Sequence, residues 1–263
     1  AVNTDRLNSQ LNSQTREEKD RFSADISFVG SMYHKNSYDD IKDKLPPYLR
    51  GYFDAAMLAQ LNIYGDNIID ELLTVDILKQ LSEFVDFRQD KRAFSDIRLV
   101  FESTFLGFKL ANIERVKTLN LLAKKNKVAL YTDEQDASLI NVDFKGTVDY
   151  MDDMPKVFNN SSINLNMTIR NIRTGIPLRV WDILGAGGFL LTNYQIELTD
   201  YFKNEESIVY YEDMYDCCKK AEYYLLHEDK RRQIAAKGHE LVSKKHSYIN
   251  RVEYILDVIG KMS

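Results

Sequence analysis

Residues 174–193 read TGIPLRVWDILGAGGFLLTN, and this stretch predicts a helix, a glycine turn and a buried strand. Thr174 is placed to cap the helix, and Pro177 lies where its missing N–H costs least. Apolar residues at helical spacing give the helix one buried face, and the glycines within 185–188 end it. The apolar run 189–191 is typical of a parallel strand that is covered on both sides.

The start of this predicted helix has the chemistry of an anion site. Free backbone N–H groups at a helix N-terminus attract phosphate, and Arg179 lies one turn in, with Asp182 behind it. These groups suit a phosphorylated sugar or a nucleotide. An ordinary α/β crossover with an ion pair on its surface would show the same pattern, so the spacing alone leaves both interpretations open.

The composition is that of a globular protein without a nucleic-acid or membrane signal. The 263 residues are 44% hydrophobic and 29% charged, with a net charge of −5. An acidic balance gives no electrostatic reason to expect nucleic acid or an anionic membrane as partner. No apolar run approaches the roughly 20 residues of a membrane span. Adjacent Cys217 and Cys218 do not suggest a disulfide framework, and we therefore expect a cytoplasmic protein.

Strands and helices are predicted to alternate along most of the chain. The six predicted strands lie at 25–31, 128–132, 142–148, 162–167, 189–193 and 208–211. Such alternation predicts an α/β domain over 25–263, with a parallel sheet covered by helices on both faces. Residues 38–126 are almost wholly helical and too long for a simple crossover, so they predict a helical insertion whose aromatic residues form a core. Residues 1–24 are rich in Asn, Ser, Gln and charge, and predict a linker or approach segment.

Two predicted loops would meet at the carboxyl edge of such a sheet. One is Gly30–Lys35, and the other runs through Arg170 and Arg173 into the helix start. A diphosphate could lie between them, and Asp182 could accept hydrogen bonds from ribose hydroxyls. Lys35 also fits a solvated surface lysine. The candidate nucleotide-binding residues are Gly30, Ser31, Tyr33, Lys35, Arg170, Arg173, Thr174, Gly175, Arg179, Asp182, Gly187 and Gly188.

Metal and covalent chemistry find little support in the sequence. The four histidines are scattered, without the close spacing of a zinc site. Asp39-Asp40 and Asp152-Asp153 could be proposed for Mg²⁺, but both pairs stand at predicted helix starts, where carboxylates favour the helix dipole. The sequence has no phosphate-binding P-loop and no nucleophile elbow. We expect no metal and no cofactor, and no catalytic residue is assigned.

Several segments resemble the CgeB-like (spore maturation) glycosyltransferases. The longest is VFNNSSINLNMTIRNIRTGIPLRVWDILGAGGFLLTNYQIEL, residues 157–198. DISFVGSMY (25–33), YLRGYFDAAMLAQLNIYG (48–65), VALYT (128–132) and KKHSYINRV (244–252) are similar as well, so the resemblance covers nearly the whole chain. It implies a GT-B enzyme that uses a nucleotide sugar, UDP-linked donors among them, and generally needs no bound metal.

The resemblance also implies roles and a missing partner. GT-B enzymes have two Rossmann-like domains across a cleft, and this chain resembles the C-terminal, donor-binding half, with AVNTDRL leading in from an N-terminal acceptor domain. In the related Glu-x7-Glu motif, Asp182 takes the place of the second, ribose-binding glutamate and Thr174 that of the first. Residues 150–153 would lie near the base, and the closing helix 248–262 would cross to the N-terminal domain.

Thr174 differs from the first glutamate of the Glu-x7-Glu motif, and this difference leaves a second function possible. A threonine in place of the first glutamate leaves no carboxylate for the transferred sugar, and the large insertion offers a surface for other proteins. The chain could therefore be a non-catalytic binding or scaffolding module that keeps the fold without binding a donor. As an enzyme module, it is expected to be inactive without the N-terminal domain.

Overall fold

A six-stranded parallel sheet forms the centre of the computed structural model, which describes residues 1–85 and 96–262. Its strands are β1 (Ala24–Val29), β2 (Val128–Tyr131), β3 (Asp143–Phe144), β4 (Ser161–Asn166), β5 (Leu190–Asn193) and β6 (Val209–Tyr211). They lie in the order β3-β2-β1-β4-β5-β6, and all neighbouring pairs are parallel. This is a Rossmann-like order, so the predicted α/β class is confirmed.

Helices cover the sheet on both sides. In the described ranges they are α1 (Thr4–Asn12), α2 (Arg16–Phe22), α3 (Ser37–Ile41), α4 (Pro47–Gln60), α5 (Ile68–Leu72), α6 (Val75–Ser82), α7 (Ile97–Val100), α8 (Phe108–Leu122), α9 (Met154–Asn160), α10 (Leu178–Gly185), α11 (Leu198–Tyr201), α12 (Met214–Leu226), α13 (Glu228–Lys245) and α14 (Tyr248–Met262). Helices α3 to α8 lie between β1 and β2, where the insertion 38–126 is predicted. Residues 86–95 of that insertion are outside the described residues.

Each face of the sheet has its own hydrophobic core. Along β2, Val128 and Leu130 pack in one cluster with α8 and α12, whereas Ala129 and Tyr131 pack in the other with α9, α10 and α13. This alternation follows from the two-residue period of a strand. We call these two sides the α8 face and the α10 face.

The insertion has a third core of its own, built largely from aromatic and aliphatic side chains. Phe53 and Phe101 are fully buried in it, with ring centroids 4.9 Å apart. Phe53 and Phe101 are therefore core residues, as predicted, whereas Tyr48 and Phe84 of the insertion are exposed. The chain then continues through a π-helical turn, Phe101–Gly107, directly into α8. Because α8 packs on the sheet and on the insertion, it has little solvent-facing surface.

Residues 1–24, for which a linker or approach segment is predicted, are largely helical. Asn3 caps α1 by accepting a hydrogen bond from the backbone N–H of Arg6. Thr15 and Glu18 form a reciprocal capping box at the start of α2. Both helices pack against α9. The polar residues of this segment lie on the solvent-facing sides of α1 and α2.

The organising stretch has the predicted order of helix, turn and strand, but its helix starts later than predicted. Thr174 is not the N-cap. Gly175 has φ of +90°, which bends the backbone away from helical geometry, and α10 begins only after Pro177. At the other end, Gly187 has φ of +73° and ends the turn. A Cβ on Gly188 would lie 2.6 Å from the carbonyl oxygen of Phe158, so this approach requires glycine.

The last helix stands apart from the three cores. The apolar side chains of α14 are exposed, Ile249 by 66% and Leu256 by 63%. Among the described residues, no helix combines the length and the apolar character that crossing a membrane would require.

Candidate functional site

The carboxyl ends of β1 and β4 meet at the point where the winding of the sheet reverses. Strand β1 pairs with β2 on one side and with β4 on the other. The chain leaves this edge through the loop that begins at Gly30 and through the loop that follows Asn166. In sheets of this order, ligands bind at this position.

Arg115 on α8 ties these two loops together. One guanidinium nitrogen, Nη1, donates to the carbonyl oxygen of Ser31, and Nη2 donates to the carbonyl oxygen of Met167 at 2.6 Å. The guanidinium also lies over the rings of Phe28 and Tyr33, at 5.3 and 4.8 Å from their centroids. Burial lowers the pKa of Arg115, and its Nε has no hydrogen-bond partner among the described residues.

Arg170 is a second buried cation at this edge. Its Nη2 donates to Glu114 at 2.8 Å, and the guanidinium lies 3.4 Å from the ring centroid of Tyr64. Only 4% of the Arg170 side chain and 2% of the Glu114 side chain are exposed. Within the described part of the chain, Nε and Nη1 of Arg170 have no partner. Arg170 therefore has two buried donor nitrogens whose hydrogen-bonding capacity the described residues do not use.

The two buried arginines at this edge have different partners. Arg170 pairs with the Glu114 carboxylate, whereas Arg115 donates to backbone carbonyl oxygens and forms no ion pair with a carboxylate among the described residues. A buried charge without a counter-ion is costly, so an anion bound nearby would be stabilised. Sequence reasoning missed Arg115 and Glu114, because charged residues in a helix ordinarily face solvent.

Arg170 opens into a narrow cleft at the carboxyl ends of β4 and β5. The cleft is lined by Gly65, Asp66, Thr168, Ile169, Arg170, Ile172, Arg173, Asn193, Tyr194, Gln195 and Ile196. We call it the β4–β5 cleft. Its floor is fixed because the Asn193 side chain accepts from the backbone N–H of Thr168 at 2.9 Å and donates to its carbonyl oxygen at 2.8 Å. The structure thus brings the predicted Arg170 and Arg173 together.

The next three predicted residues, Arg173, Thr174 and Gly175, contact other parts of the protein. Arg173 lines the cleft but also pairs with Asp70 of the insertion at 2.8 Å, and half of its side chain is exposed. Thr174 lines a separate groove beside α7, together with Arg173. The backbone N–H of Gly175 donates to the carboxylate of Glu197. The loop before α10 therefore offers fewer free groups than its sequence suggests.

Asp182 lies in a second pocket, on the α10 face, and its neighbour Arg179 is outside the lining of that pocket. Their side chains are 3.3 Å apart, and the Tyr150 hydroxyl donates to Asp182 at 3.0 Å. Asp182 and Tyr150 line this pocket with α1 residues, among them Arg6. Burial raises the pKa of Asp182, while Arg179 and the hydrogen bond from Tyr150 act against that rise. Neither side chain is in bulk water, with exposures of 23% and 21%.

The two pockets lie on opposite faces of the sheet. Arg170 stacks on Tyr64, which packs against the core of the α8 face, whereas Arg179 contacts Met154 and Phe158 in the core of the α10 face. The predicted single cluster around one loop is therefore divided in two. A ligand would have to reach over the carboxyl edge of the sheet to touch both.

The loop after β1 packs on α8. Tyr33 has φ of +50° and stacks on Phe108 with ring centroids 4.5 Å apart. The Ser31 hydroxyl accepts from the backbone N–H of Tyr33. Lys35 and His34 both contact the carboxylate of Glu134 beyond β2. Gly30, Ser31, Tyr33 and Lys35 thus stand at the predicted edge, but they line neither the β4–β5 cleft nor the pocket of Asp182.

Gly187 and Gly188 lie at the other edge of the sheet. They precede β5, so they stand at its amino end, next to Asn159 and the start of α13. Their role is a tight turn and a close approach to α9. The described residues contain no group of three His, Cys, Asp or Glu side chains arranged to hold a metal ion.

Residues 112–257, more than half of the chain, match the family described as glycosyl transferase-like. The chain belongs to this family. The match begins at the middle of α8 and includes Glu114, Arg115, Arg170 and Asp182. The helical insertion before residue 112 lies outside it. A search of curated proteins found no match.

Solved structures of glycosyltransferases are similar to this chain at a low level. The glycosyltransferase from Rickettsia africae ESF-5 has a TM-score of 0.46 and 12% identity, over 98% of this chain and 54% of that one. TarM has a TM-score of 0.44 and 14% identity, over 54% of this chain and 31% of TarM. The C-terminal domain of LpcC from Francisella tularensis has a TM-score of 0.43 and 12% identity, over 51% of this chain and 78% of that one. This chain thus spans about a third of TarM and about half of the Rickettsia enzyme.

Proposed function

We propose that this glycosyltransferase-like chain is the donor-binding part of a GT-B enzyme of the CgeB-like type, which transfers a sugar from a nucleoside diphosphate. The observation that carries the proposal is the presence of two buried guanidinium groups, those of Arg115 and Arg170, at the edge where such sheets bind ligands. A diphosphate brings negative charge to these arginines. The two donor nitrogens of Arg170 without a partner among the described residues, Nε and Nη1, supply its hydrogen bonds.

The remaining parts of a nucleotide fit the pocket on the α10 face. Asp182 accepts hydrogen bonds from ribose hydroxyls, and the base lies near residues 150–153, of which Tyr150 and Met151 line the same pocket. The diphosphate then crosses the carboxyl edge to reach Arg170 and Arg173. In this arrangement, the nucleotide links the two pockets that the sheet separates.

Catalysis in this proposal is electrostatic. As the bond between sugar and phosphate breaks, negative charge develops on the leaving diphosphate, and Arg170 and Arg173 stabilise it. No residue of this chain is assigned as the base that activates the acceptor. We assign that role to an N-terminal acceptor domain of the natural protein, and the exposed apolar side of α14 to contact with that domain.

Calorimetric titration with UDP, GDP, dTDP and CMP tests the donor site. We expect at least one nucleotide to bind with a dissociation constant between about 1 µM and 1 mM. Arg173→Ala and Asp182→Asn should each weaken it about tenfold, because each removes a hydrogen bond to a charged group. Arg232→Ala is the matched control, since Arg232 is exposed and lies at the amino edge with α13.

Two outcomes would contradict the proposal. Absence of binding by all four nucleotides would favour the alternative of a scaffolding module that keeps the fold without a donor site. Binding that Arg173→Ala and Asp182→Asn leave unchanged would place the nucleotide elsewhere on the protein.

A further inference from the structure

One face of α8 lies along the loop that follows β1. Phe108, Asn112 and Arg115 follow one another at helical spacing, so their side chains share this face. Asn112 is only 9% exposed and Arg115 only 7%, so both are buried behind the loop. Neither residue lines the β4–β5 cleft or the pocket of Asp182. Their effect on a ligand in these two pockets is therefore indirect, through the loops that they hold.

Asn112 and Arg115 fix two consecutive carbonyl groups of this loop. Nδ2 of Asn112 donates to the carbonyl oxygen of Met32 at 2.9 Å, and Nη1 of Arg115 donates to that of Ser31. A peptide plane cannot rotate without carrying its carbonyl oxygen away from the donor. The peptide planes that follow Ser31 and Met32 are therefore fixed to α8.

The same two side chains bind the neighbouring loops of the carboxyl edge. Nδ2 of Asn112 also donates to Oδ2 of Asp136 after β2, at 2.9 Å, and Nη2 of Arg115 donates to the carbonyl oxygen of Met167 after β4, at 2.6 Å. Asp136 is itself held, because its other oxygen accepts from the backbone N–H and the hydroxyl of Ser138. Two side chains on one helix face thus join the loops after β2, β1 and β4, which are neighbouring strands.

Backbone strain marks the next residue of the loop. Tyr33 has φ of +50°, a conformation that is unfavourable for a tyrosine and persists only when the surroundings enforce it. Here the ring of Tyr33 stacks on Phe108 on one side and lies against the guanidinium of Arg115. Strained backbone of this kind is concentrated at binding and active sites. The contacts with α8 therefore hold this loop in a shape that it would not keep alone.

We propose that Asn112 and Arg115 are positioning residues, which hold the loop after β1 in the shape that receives the diphosphate of the donor. This inference rests on the proposed donor function and extends it, because it assigns part of the affinity to side chains that act through the backbone. Asn112 carries no charge. A loss of affinity on its replacement therefore reports the shape of the loop and not a lost attraction for an anion.

Calorimetry tests this with whichever of UDP, GDP, dTDP and CMP the wild type binds best. We expect Asn112→Leu and Arg115→Met each to lower the affinity at least about tenfold, since each leaves loop carbonyl groups without their donors. Arg115→Lys should recover part of that loss, because lysine and methionine have similar apolar stems but only lysine donates. Thr118→Val is the matched control, and we expect it to keep the wild-type affinity. Thr118 is a fully buried residue of α8 whose hydroxyl has no partner among the described residues.

Limited proteolysis with chymotrypsin separates a change of the loop from a general loss of stability. Cleavage after Tyr33 reports the loop, and cleavage after Tyr211, which is fully buried in β6, reports unfolding of the sheet. In Asn112→Leu, we expect cleavage after Tyr33 to become at least about tenfold faster and cleavage after Tyr211 to stay at the wild-type rate.

The outcomes distinguish this inference from the donor function. If a nucleotide binds but Asn112→Leu keeps its affinity within twofold, or if Arg115→Lys is no better than Arg115→Met, the two residues do not position the loop and the donor proposal stands. Cleavage after Tyr33 and Tyr211 that rises together would give the two residues a structural role only. If no nucleotide binds to the wild type, both proposals are wrong.

Discussion

Glu114 and Arg115 are neighbours on α8, but their side chains do not have the same partners. Glu114 pairs with Arg170 after β4, and Arg115 binds the carbonyl oxygens of Ser31 and Met167. Arg170 could be predicted, since it lies in a loop after a predicted strand. Glu114 and Arg115 could not, because their burial depends on the insertion that packs on the outer side of α8. A single sequence does not show that a helix is covered on both sides.

Glu114→Gln should destabilise the protein strongly. The substitution leaves Arg170 and Arg115 buried with no carboxylate, and breaking a buried ion pair costs about 3–5 kcal/mol. Urea denaturation measures the change in the free energy of unfolding. Pyrophosphate should restore part of the loss in this variant, because a ligand of the folded state stabilises it.

The control for this variant is Glu222→Gln, which removes the partner of Lys125 in an exposed ion pair. Exposed pairs contribute little, so the unfolding curve of the control should stay close to that of the wild type. Equal curves for the two variants would show that the charge of Glu114 is not needed to balance the arginines.

At the scale of elements, the positions of all six strands could be predicted, but β3 is only two residues long. The strands could be located because apolar runs bounded by turns are a signal in the local sequence. The two helices before β1 were missed, although the capping pair Thr15 and Glu18 is visible in the sequence. The polar composition of this segment is also that of a linker, so it obscures the capping signal. The division of the site between two faces depends on how α10 packs, which local sequence does not determine.

Where α10, α13 and α14 meet, the structure predicts a pH-dependent contact. His246 caps α13, and its ring lies 5.0 Å from that of Trp181, the single tryptophan of the sequence. Burial lowers the pKa of His246 below 6.5, and the charge of Arg251 lowers it further. The folded state therefore binds the proton less readily than the unfolded state. His246 contributes stability above pH 6.5, and this is lost as the pH falls through 6.5 towards its lowered pKa.

Fluorescence of Trp181 measures this titration, since a protonated imidazole quenches a nearby indole. We expect a transition with its midpoint below pH 6.5 in the wild type and no such transition in His246→Gln. Arg251→Gln should move the midpoint upwards, because it removes a positive charge beside the ring. A wild-type midpoint at or above 6.5 would contradict this account.

At the scale of the whole molecule, α14 adds exposed apolar surface and little packing. Tyr248 and Arg251 still contact the body, through a backbone hydrogen bond to Val2 and through the Trp181 ring. From Val252 onwards, the side chains up to Lys261 are exposed. Deleting residues 252–263 should therefore shift the thermal midpoint by less than about 2 °C.

The same deletion should reduce self-association in sedimentation experiments, since contiguous exposed apolar surface promotes it. Deleting residues 247–263 is the comparison, because it also removes the contacts of Tyr248 and Arg251 and should lower the midpoint further. A loss of several degrees on deletion of 252–263 would show that α14 packs against the body in solution.

The position of β1 in the centre of the sheet has a consequence for synthesis on the ribosome. Ser27 of β1 bonds to Asn164 of β4 across 137 residues, and Asp25 bonds to Lys127 across 102. At about 5–20 residues per second, the nascent β1 waits roughly 5–20 s for its first neighbour and roughly 7–27 s for its second. During that interval its apolar residues have no partner strand, so this topology depends on slow, non-local pairing and on protection of an unpaired edge until β4 has emerged.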